Sequence, residues 1–238
     1  MAFLTNLLST MLNTLAEITG SYGLAIIGMA LVVMIITFPL NLKQMQFSHK
    51  MKLVNPQIEE LKKKYKDPEK LNEETLALWK KYGINPAAGC LPLLIQFPII
   101  IAMFGVLRQP EVFSSAPSFL GLNLVLPNAE QTFWVLIRQN IGYIVVPILS
   151  VLTTVIQQKQ MSQGGQDAAM MRSMNLFLPV LMGWITISYP TAVGIYWVSR
   201  NVLTIGQHYL VSQALDRQLG LEEGTQQNAK RRKTGKDS

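Results

Sequence analysis

Arg200 is the residue of this chain whose placement most constrains function. It falls inside a long apolar stretch, where a permanent guanidinium charge costs roughly 2.5 to 3.5 kcal/mol on insertion scales. The charge must therefore meet water, backbone carbonyls or an incoming ligand, because no acidic residue lies at comparable depth in any apolar segment. Tyr196, Arg200, Thr204 and Gln207 follow at offsets of four, four and three, which puts them along one face of a helix. A polar stripe on one helix implies a polar surface opposite it. Thr37, Gln96, Gln157, Gln158 and Asn175, in the other apolar segments, are candidates for that surface. For each of these taken singly, the plainer reading is an interhelical hydrogen bond that fastens a bundle. For Arg200 the plainer reading is snorkelling to the membrane surface, but eleven further residues of apolar pattern follow it before the tail. Trp134, Trp184 and Trp197 read on their own as interface or packing residues.

Other chemistry is excluded by what the chain lacks. The single cysteine, Cys90, cannot form an intramolecular disulfide, and His49 and His208 lie far apart in sequence with no metal-ligand spacing. There is no Ser-His-Asp set, no intramembrane carboxylate pair, no HExxH and no GxxxxGK[ST] phosphate loop. Neither an enzymatic reaction nor a cofactor or metal is expected.

The elements that must hold these residues are membrane helices. The 238 residues are 49% hydrophobic and only 15% charged, against roughly 25% charged in soluble domains. Leu24 to Leu42 and Gly89 to Leu107 are uncharged over nineteen residues each, enough to cross nearly all of a hydrocarbon core about 30 Å thick. Pro92 and Pro98 are expected to kink or tilt the second. Ile141 to Ile156, extended by Gln157 and Gln158, makes a third.

Ser173 to Ser199 is uncharged over twenty-seven residues, is interrupted by Tyr189-Pro190, and continues as an apolar pattern to Val211. Charge decides whether it crosses once or twice. Ten lysines lie in 43–86, and Lys230, Arg231, Arg232, Lys233 and Lys236 lie in the tail. Only two spans place both basic segments on the same side, so the positive-inside rule predicts five spans with the N-terminus outside and the C-terminus cytoplasmic. The outer loop, holding Arg108 offset by Glu111 and Glu130, agrees.

The expected division is an amphipathic interfacial helix over 1–20, spans over 21–42, 87–107, 139–160, 173–189 and 190–212, and a cytoplasmic helical hairpin over 43–86. An outer loop covers 108–138, a cytoplasmic loop 161–172 and a disordered basic tail 213–238. Phe3, Leu4, Leu7, Leu8, Met11, Leu12, Leu15 and Ile18 supply the apolar face of the first helix; a frayed leader is the alternative. The first twenty residues lack the charged start of a secretory signal, so either the chain is already processed or the first span directs its own insertion. In the hairpin, Asn55-Pro56 and Asp67-Pro68 each read as a cap followed by a first-turn proline, predicting helices over 56–65 and 68–82. Ile58 and Leu61 are expected to meet Leu71, Leu76, Leu78 and Trp79. The tail cluster 230–233 is either a topology signal or a contact for anionic headgroups or ribosomal RNA.

Several motifs together resemble the YidC/Oxa/Alb family of membrane-protein insertases. They are Asn85-Pro86 followed by GCLPLLIQFPI (89–99), YGLAII (22–27) leading into FPLNLKQ (38–44), NPQIEELKKKY (55–65), and YP followed by GIYWVSRN (189–201). They run in family order over about residues 15–215, and the chain resembles the compact Gram-positive type, without a large outer domain. The resemblance implies a monomeric five-helix core in a bacterial plasma membrane, around a hydrophilic groove open to the cytoplasm and the lipid but closed outside. It also implies small nascent membrane-protein clients as partners alongside the lipids, a hairpin that receives them or meets a Sec-type translocon or targeting receptor, and a tail that contacts the ribosome. By alignment Gln157 and Trp197 line the groove, and helical spacing adds Tyr196.

One family mark is missing. The usual groove arginine sits on the first span five residues before the Pro-Leu pair, and that position here is Met34. Arg200 is expected to supply the charge from another wall. The competing readings are a channel or small-solute transporter with an arginine-lined recess, and a lipid scramblase or passive assembly scaffold. A transporter is disfavoured because five spans do not divide into two repeats, and a channel because the outer halves of the spans are almost wholly apolar.

Overall fold

The computed structural model describes residues 2–85, 87–113, 117–128, 131–161 and 168–218; side chains of 2, 87–96, 161, 168–175, 215, 216 and 218 lie outside that description. The fold is overwhelmingly helical. Helix α1 (Ala2–Thr19) ends where Gly20, at φ 68°, takes the left-handed conformation that lets its N–H bond back to the Ala16 carbonyl at 2.8 Å. Leu8 and Leu12 are buried on its inner face, while Phe3, Leu7 and Ile18 stay exposed.

Helix α2 (Tyr22–Lys64) runs unbroken for 43 residues. This corrects the expectation of a separate helix starting at Pro56. Pro39 and Pro56 both lie inside α2, although an interior proline removes one backbone hydrogen bond and costs about 3 kcal/mol. Packing offsets that cost around Pro56, since Met51, Val54 and Ile58 are all buried on the face turned to the hairpin.

Asp67 does begin a helix as expected, accepting a hydrogen bond from the Glu69 N–H at 3.1 Å at the start of α3 (Pro68–Lys81). The hairpin seam is made by Met51, Val54, Ile58 and Ile84 with Leu78, Trp79 and Tyr82 packed on them. Leu76, by contrast, remains half exposed. The seam therefore extends further along α2 than the sequence suggested.

Helices α4 (Ala87–Leu107), α6 (Val145–Met161), α7 (Ala168–Ser188) and α8 (Thr191–Gln218) complete the bundle. The α7–α8 break falls at Tyr189-Pro190. The main core joins α1, α2, α4 and α8 through Leu12, Ile26, Met29, Met103, Val106, Val193 and Tyr196. Helix α8 packs most extensively against α2 and α6.

The segment between α4 and α6, expected as the outer loop, holds local structure in its described residues. It carries a two-stranded antiparallel hairpin, β1 (Ser118–Phe119) and β2 (Leu122–Asn123), and a short helix α5 (Phe133–Gln139). Its Leu124 and Leu126 carbonyls accept the Ala192 and Thr191 N–H groups at 2.9 and 2.7 Å, satisfying donors that the first turn of α8 would leave open.

Among the described residues two stretches are long and apolar enough to cross a membrane, in Tyr22–Lys64 and Ile141–Gln160, and Phe97–Leu107 and Leu176–Ser188 are shorter apolar helices. Helix α8 falls below that threshold because Tyr196, Ser199, Arg200, Asn201, Thr204 and Gln207 interrupt its apolar residues.

Candidate functional site

Helix α8 carries two adjacent polar stripes. At about 100° per residue, Tyr196, Arg200 and Gln207 share one face, and Trp197 and Asn201 share another roughly 100° round. The first stripe faces α2, where Asn41 Nδ2 donates to Gln207 Oε1 at 3.4 Å. The second faces α6, where Trp197 Nε1 donates to Thr154 Oγ1 at 2.9 Å and Asn201 Nδ2 donates to Thr153 and Thr154 at 3.1 and 3.0 Å. Two stripes at that angle let one helix close two polar seams.

Arg200 is only 8% exposed, so its side chain does not reach out to bulk solvent. It is close enough to Tyr196 to interact electrostatically, and Tyr196 is fully buried. Among the described residues the Tyr196 hydroxyl, Gln207 Nε2 and the Ser150 hydroxyl are buried with no hydrogen-bond partner. An unsatisfied buried polar group costs about 1 to 3 kcal/mol, so the two on the α2-facing stripe of α8, with Ser150 on α6, call for water or for a polar ligand.

The other expected residues divide. Thr37 is buried, but its hydroxyl donates to the Val33 carbonyl at 2.8 Å, and the Thr204 hydroxyl donates to the Arg200 carbonyl at 2.9 Å. Both are committed to their own helices. Gln157 is half-buried on α6, one turn beyond Thr153, and Met34 is half-buried on α2. The Gln96 and Asn175 side chains lie outside the described residues, as do 162–167 of the loop expected over 161–172 and 219–238 of the tail expected over 213–238. The rest of both is helical, since α6 runs through Met161, α7 starts at Ala168 and α8 runs through Gln218. Trp197 is buried with its ring N–H already committed to Thr154, a packing role as much as a lining one.

Sequence reasoning missed Asn41, Thr153, Thr154 and Asn201, which tie the walls together. The available signal was Asn201 at four residues from Trp197, opposite paired threonines in an otherwise apolar helix. The two histidines, remote in sequence, are neighbours in the fold: their rings stack with centroids 5.9 Å apart, joining α2 to α8. Among the described residues no group of three possible metal ligands forms around them.

Toward the β1–β2 hairpin the same α2–α6–α8 interface becomes apolar. A cavity of about 400 Å³ there is lined by Ile27, Phe119, Leu122, Val146, Leu149 and Ile195, among others. Its α8 residues, Ile195, Val198 and Ser199, lie in the same turns as Tyr196 and Arg200, so polar and apolar linings occupy different faces of α8.

The family described as 60Kd inner membrane protein matches residues 14–218. A membrane protein insertase YidC from Caldanaerobacter subterraneus subsp. tengcongensis is 38% identical over 211 residues, covering 88% of this chain and 94% of that protein. The membrane protein insertase MisCA of Bacillus subtilis is 33% identical over 211 residues, 86% of this chain and 76% of the relative. Among solved structures, an active YidC insertase crystal structure with its first transmembrane domain resolved superposes with a TM-score of 0.62 at 26% identity. That match covers 87% of this chain and 46% of the solved chain, so this chain spans less than half of that protein.

Proposed function

We infer the mechanism from a chain that belongs to the 60Kd inner membrane protein family, the YidC/Oxa/Alb insertases. The protein is a membrane protein insertase, and its clients and lipids are its partners. Five spans with the C-terminus cytoplasmic carry it in a bacterial plasma membrane. The apolar segments, the two basic segments on one side and the break at Tyr189-Pro190 support that topology. No covalent step or cofactor is needed.

The functional surface is a hydrated recess on the α2–α8 side of the bundle, open toward the cytoplasm, with Arg200 as its cation. The single observation that carries this reading is a guanidinium 8% exposed beside Tyr196, on the helix face turned to α2, in a chain with methionine at the family's arginine position. Such a cation holds a client carboxylate or polar loop transiently, and water in the recess lowers the desolvation penalty that an acidic tail meets in lipid. Thr37 and Thr204 stand on its α2 and α8 walls, and Gln157 and Trp197 belong to the adjoining α6–α8 seam. The client's apolar segment then partitions into the bilayer, gaining roughly 0.3 to 0.6 kcal/mol for each central Leu, Ile, Phe or Val. The protein acts on the barrier, not on the equilibrium. The hairpin is the place of client, translocon or receptor contact, and the basic tail that of ribosome contact.

The apolar lining that Ile27, Val146, Leu149 and Ile195 supply beside the β1–β2 hairpin supports a one-sided recess over a continuous channel. The test is insertion of a single-span client with an acidic N-terminal tail into liposomes holding the purified protein, read by protease protection. Arg200→Ala should lose most of the insertion and Met34→Ala should keep it. Normal insertion by Arg200→Ala refutes the assignment, and conductance through the parent protein would favour the channel instead.

A further inference from the structure

Arg200 cannot aim itself. Its backbone belongs to a helix whose rotation about its own axis decides which stripe meets α2 and which meets α6. Apolar contacts alone fix that rotation poorly, because Val, Leu and Ile residues surround much of α8 and one apolar side chain replaces another at small cost. Hydrogen bonds are directional, and one buried set of them locks α8 to α6.

That set is closed. Asn201 is 1% exposed and its Nδ2 donates to both Thr153 and Thr154. Thr154 is 1% exposed; its Oγ1 accepts from Asn201 and from Trp197 Nε1 and donates to the Ser150 carbonyl at 2.6 Å. A hydroxyl has one hydrogen and two lone pairs, so Thr154 has no capacity left. The Thr153 hydroxyl donates to the Leu149 carbonyl at 2.7 Å and accepts from Asn201. A rotation of α8 by one residue would break three bonds and bury their donors unpaired.

We propose that Asn201, clasped by Thr153 and Thr154, is a positioning residue that sets the rotation of α8 and thereby turns Arg200 into the recess. Asn201 touches no client. Its amide N–H groups are spent on α6, while the residue directly before it in sequence carries the charge. The clasp also sets Gln157, one turn along α6, on the side of that seam. The proposal rests on the reading of Arg200 as the groove cation, and the experiment separates the two.

Cys90 is the only cysteine, so a Cys90→Ser background carrying Arg200→Cys offers one thiol for a membrane-impermeant, water-dependent reagent added from the cytoplasmic side of sealed vesicles. With the clasp intact the thiol should react. Adding Asn201→Leu should slow labelling at least fivefold, Thr154→Val should act in the same direction, and Thr154→Ser, which keeps the hydroxyl, should restore the rate. In a second readout with Arg200 present, clients differing by one tail aspartate are inserted, and the preference for the acidic tail should shrink toward one in Asn201→Leu. A thiol that labels equally with and without the clasp, or an unchanged client preference in both clasp variants, overturns the positioning role and leaves the groove cation standing. A thiol that fails to label even with the clasp intact overturns the groove reading, and the positioning role with it.

Discussion

The end of the bundle beside the β1–β2 hairpin offers a perturbation whose size can be worked out atom by atom. Gly23, buried in the first turn of α2, lies against the ring of Phe119 in β1. A Cβ added at Gly23 would sit 2.0 Å from Phe119 Cγ, 2.1 Å from Cδ2 and 2.6 Å from Cβ. Because even the Phe119 Cβ is too close, a rotamer change cannot relieve the overlap and the β1–β2 hairpin must move. That hairpin leads directly into the Leu124 and Leu126 carbonyls that cap α8, so displacement also strains those two bonds. Overpacking of this kind costs about 1 to 3 kcal/mol. In a chain of this length each kcal/mol shifts the unfolding midpoint by roughly 2 to 4 °C. Gly23→Ala should therefore unfold several degrees below the parent, read by intrinsic tryptophan fluorescence in detergent. Gly28→Ala is the control, because its Cβ would meet Leu15 methyls at 3.6 and 3.8 Å, ordinary contact, and alanine favours a helix over glycine by roughly 0.5 to 1 kcal/mol. The double variant Gly23→Ala/Phe119→Ala should lose less than the sum of the two single changes, since the ring that clashes is gone. Parent-like unfolding of Gly23→Ala, or strict additivity in the double variant, refutes the packing argument.

Three further outcomes follow from the same geometry. Asp67→Ala removes the cap of α3 and should cost about 1 kcal/mol of local hairpin stability, seen as faster backbone hydrogen exchange over 68–81 with the bundle unchanged. Ile58→Ala, 3% exposed in the hairpin seam, should cost roughly 2 to 5 kcal/mol and open that seam to limited proteolysis, whereas Leu76→Ala, 51% exposed, should leave the cleavage rate as it was. Thr191→Val deletes the hydroxyl bond to the Leu126 carbonyl at 2.7 Å and should lower the thermal midpoint by the equivalent of about 1 kcal/mol, with the backbone bond from the same residue retained.

Uncharged length and turn chemistry made the helices legible. The Tyr189-Pro190 break and the Asp67-Pro68 start both stand where the residues put them, because proline and a capping carboxylate act locally. Asn55-Pro56 misled for the opposite reason. The same local signal is overridden there by Met51, Val54 and Ile58, whose burial against α3 and Ile84 keeps α2 continuous. Of the polar residues, helical spacing found Tyr196, Arg200 and Gln207, which share the face toward α2. It could not find Thr153, Thr154 or Asn41, since a hydroxyl or amide in an apolar helix acquires its meaning only from what another helix sets opposite. The stacking of His49 on His208, 159 residues apart, was beyond any local pattern for the same reason.

The difference of lining between the faces of α8 bears on how an insertase could be one-sided. Tyr196, Arg200 and Gln207 share the polar face, whereas Ile195 and Val198, in the same turns as Tyr196 and Arg200 but on another face, join Ile27, Val146 and Leu149 around the apolar cavity beside the β1–β2 hairpin. On the proposed reading, a client tail held by Arg200 has crossed the cytoplasmic part of the hydrocarbon in water and has only the outer part left to cross. Electrostatic desolvation cost grows with the length of low-dielectric path, so shortening that path lowers the barrier while the two end states stay as they were. A polar lining carried through to the outer surface would lower the barrier further, but it would also let ions through. Replacing Val198 and Ile195 by serine should therefore raise ion leak through vesicles before it raises insertion, and an increase in insertion with no leak would show that the apolar outer lining has no part in the seal.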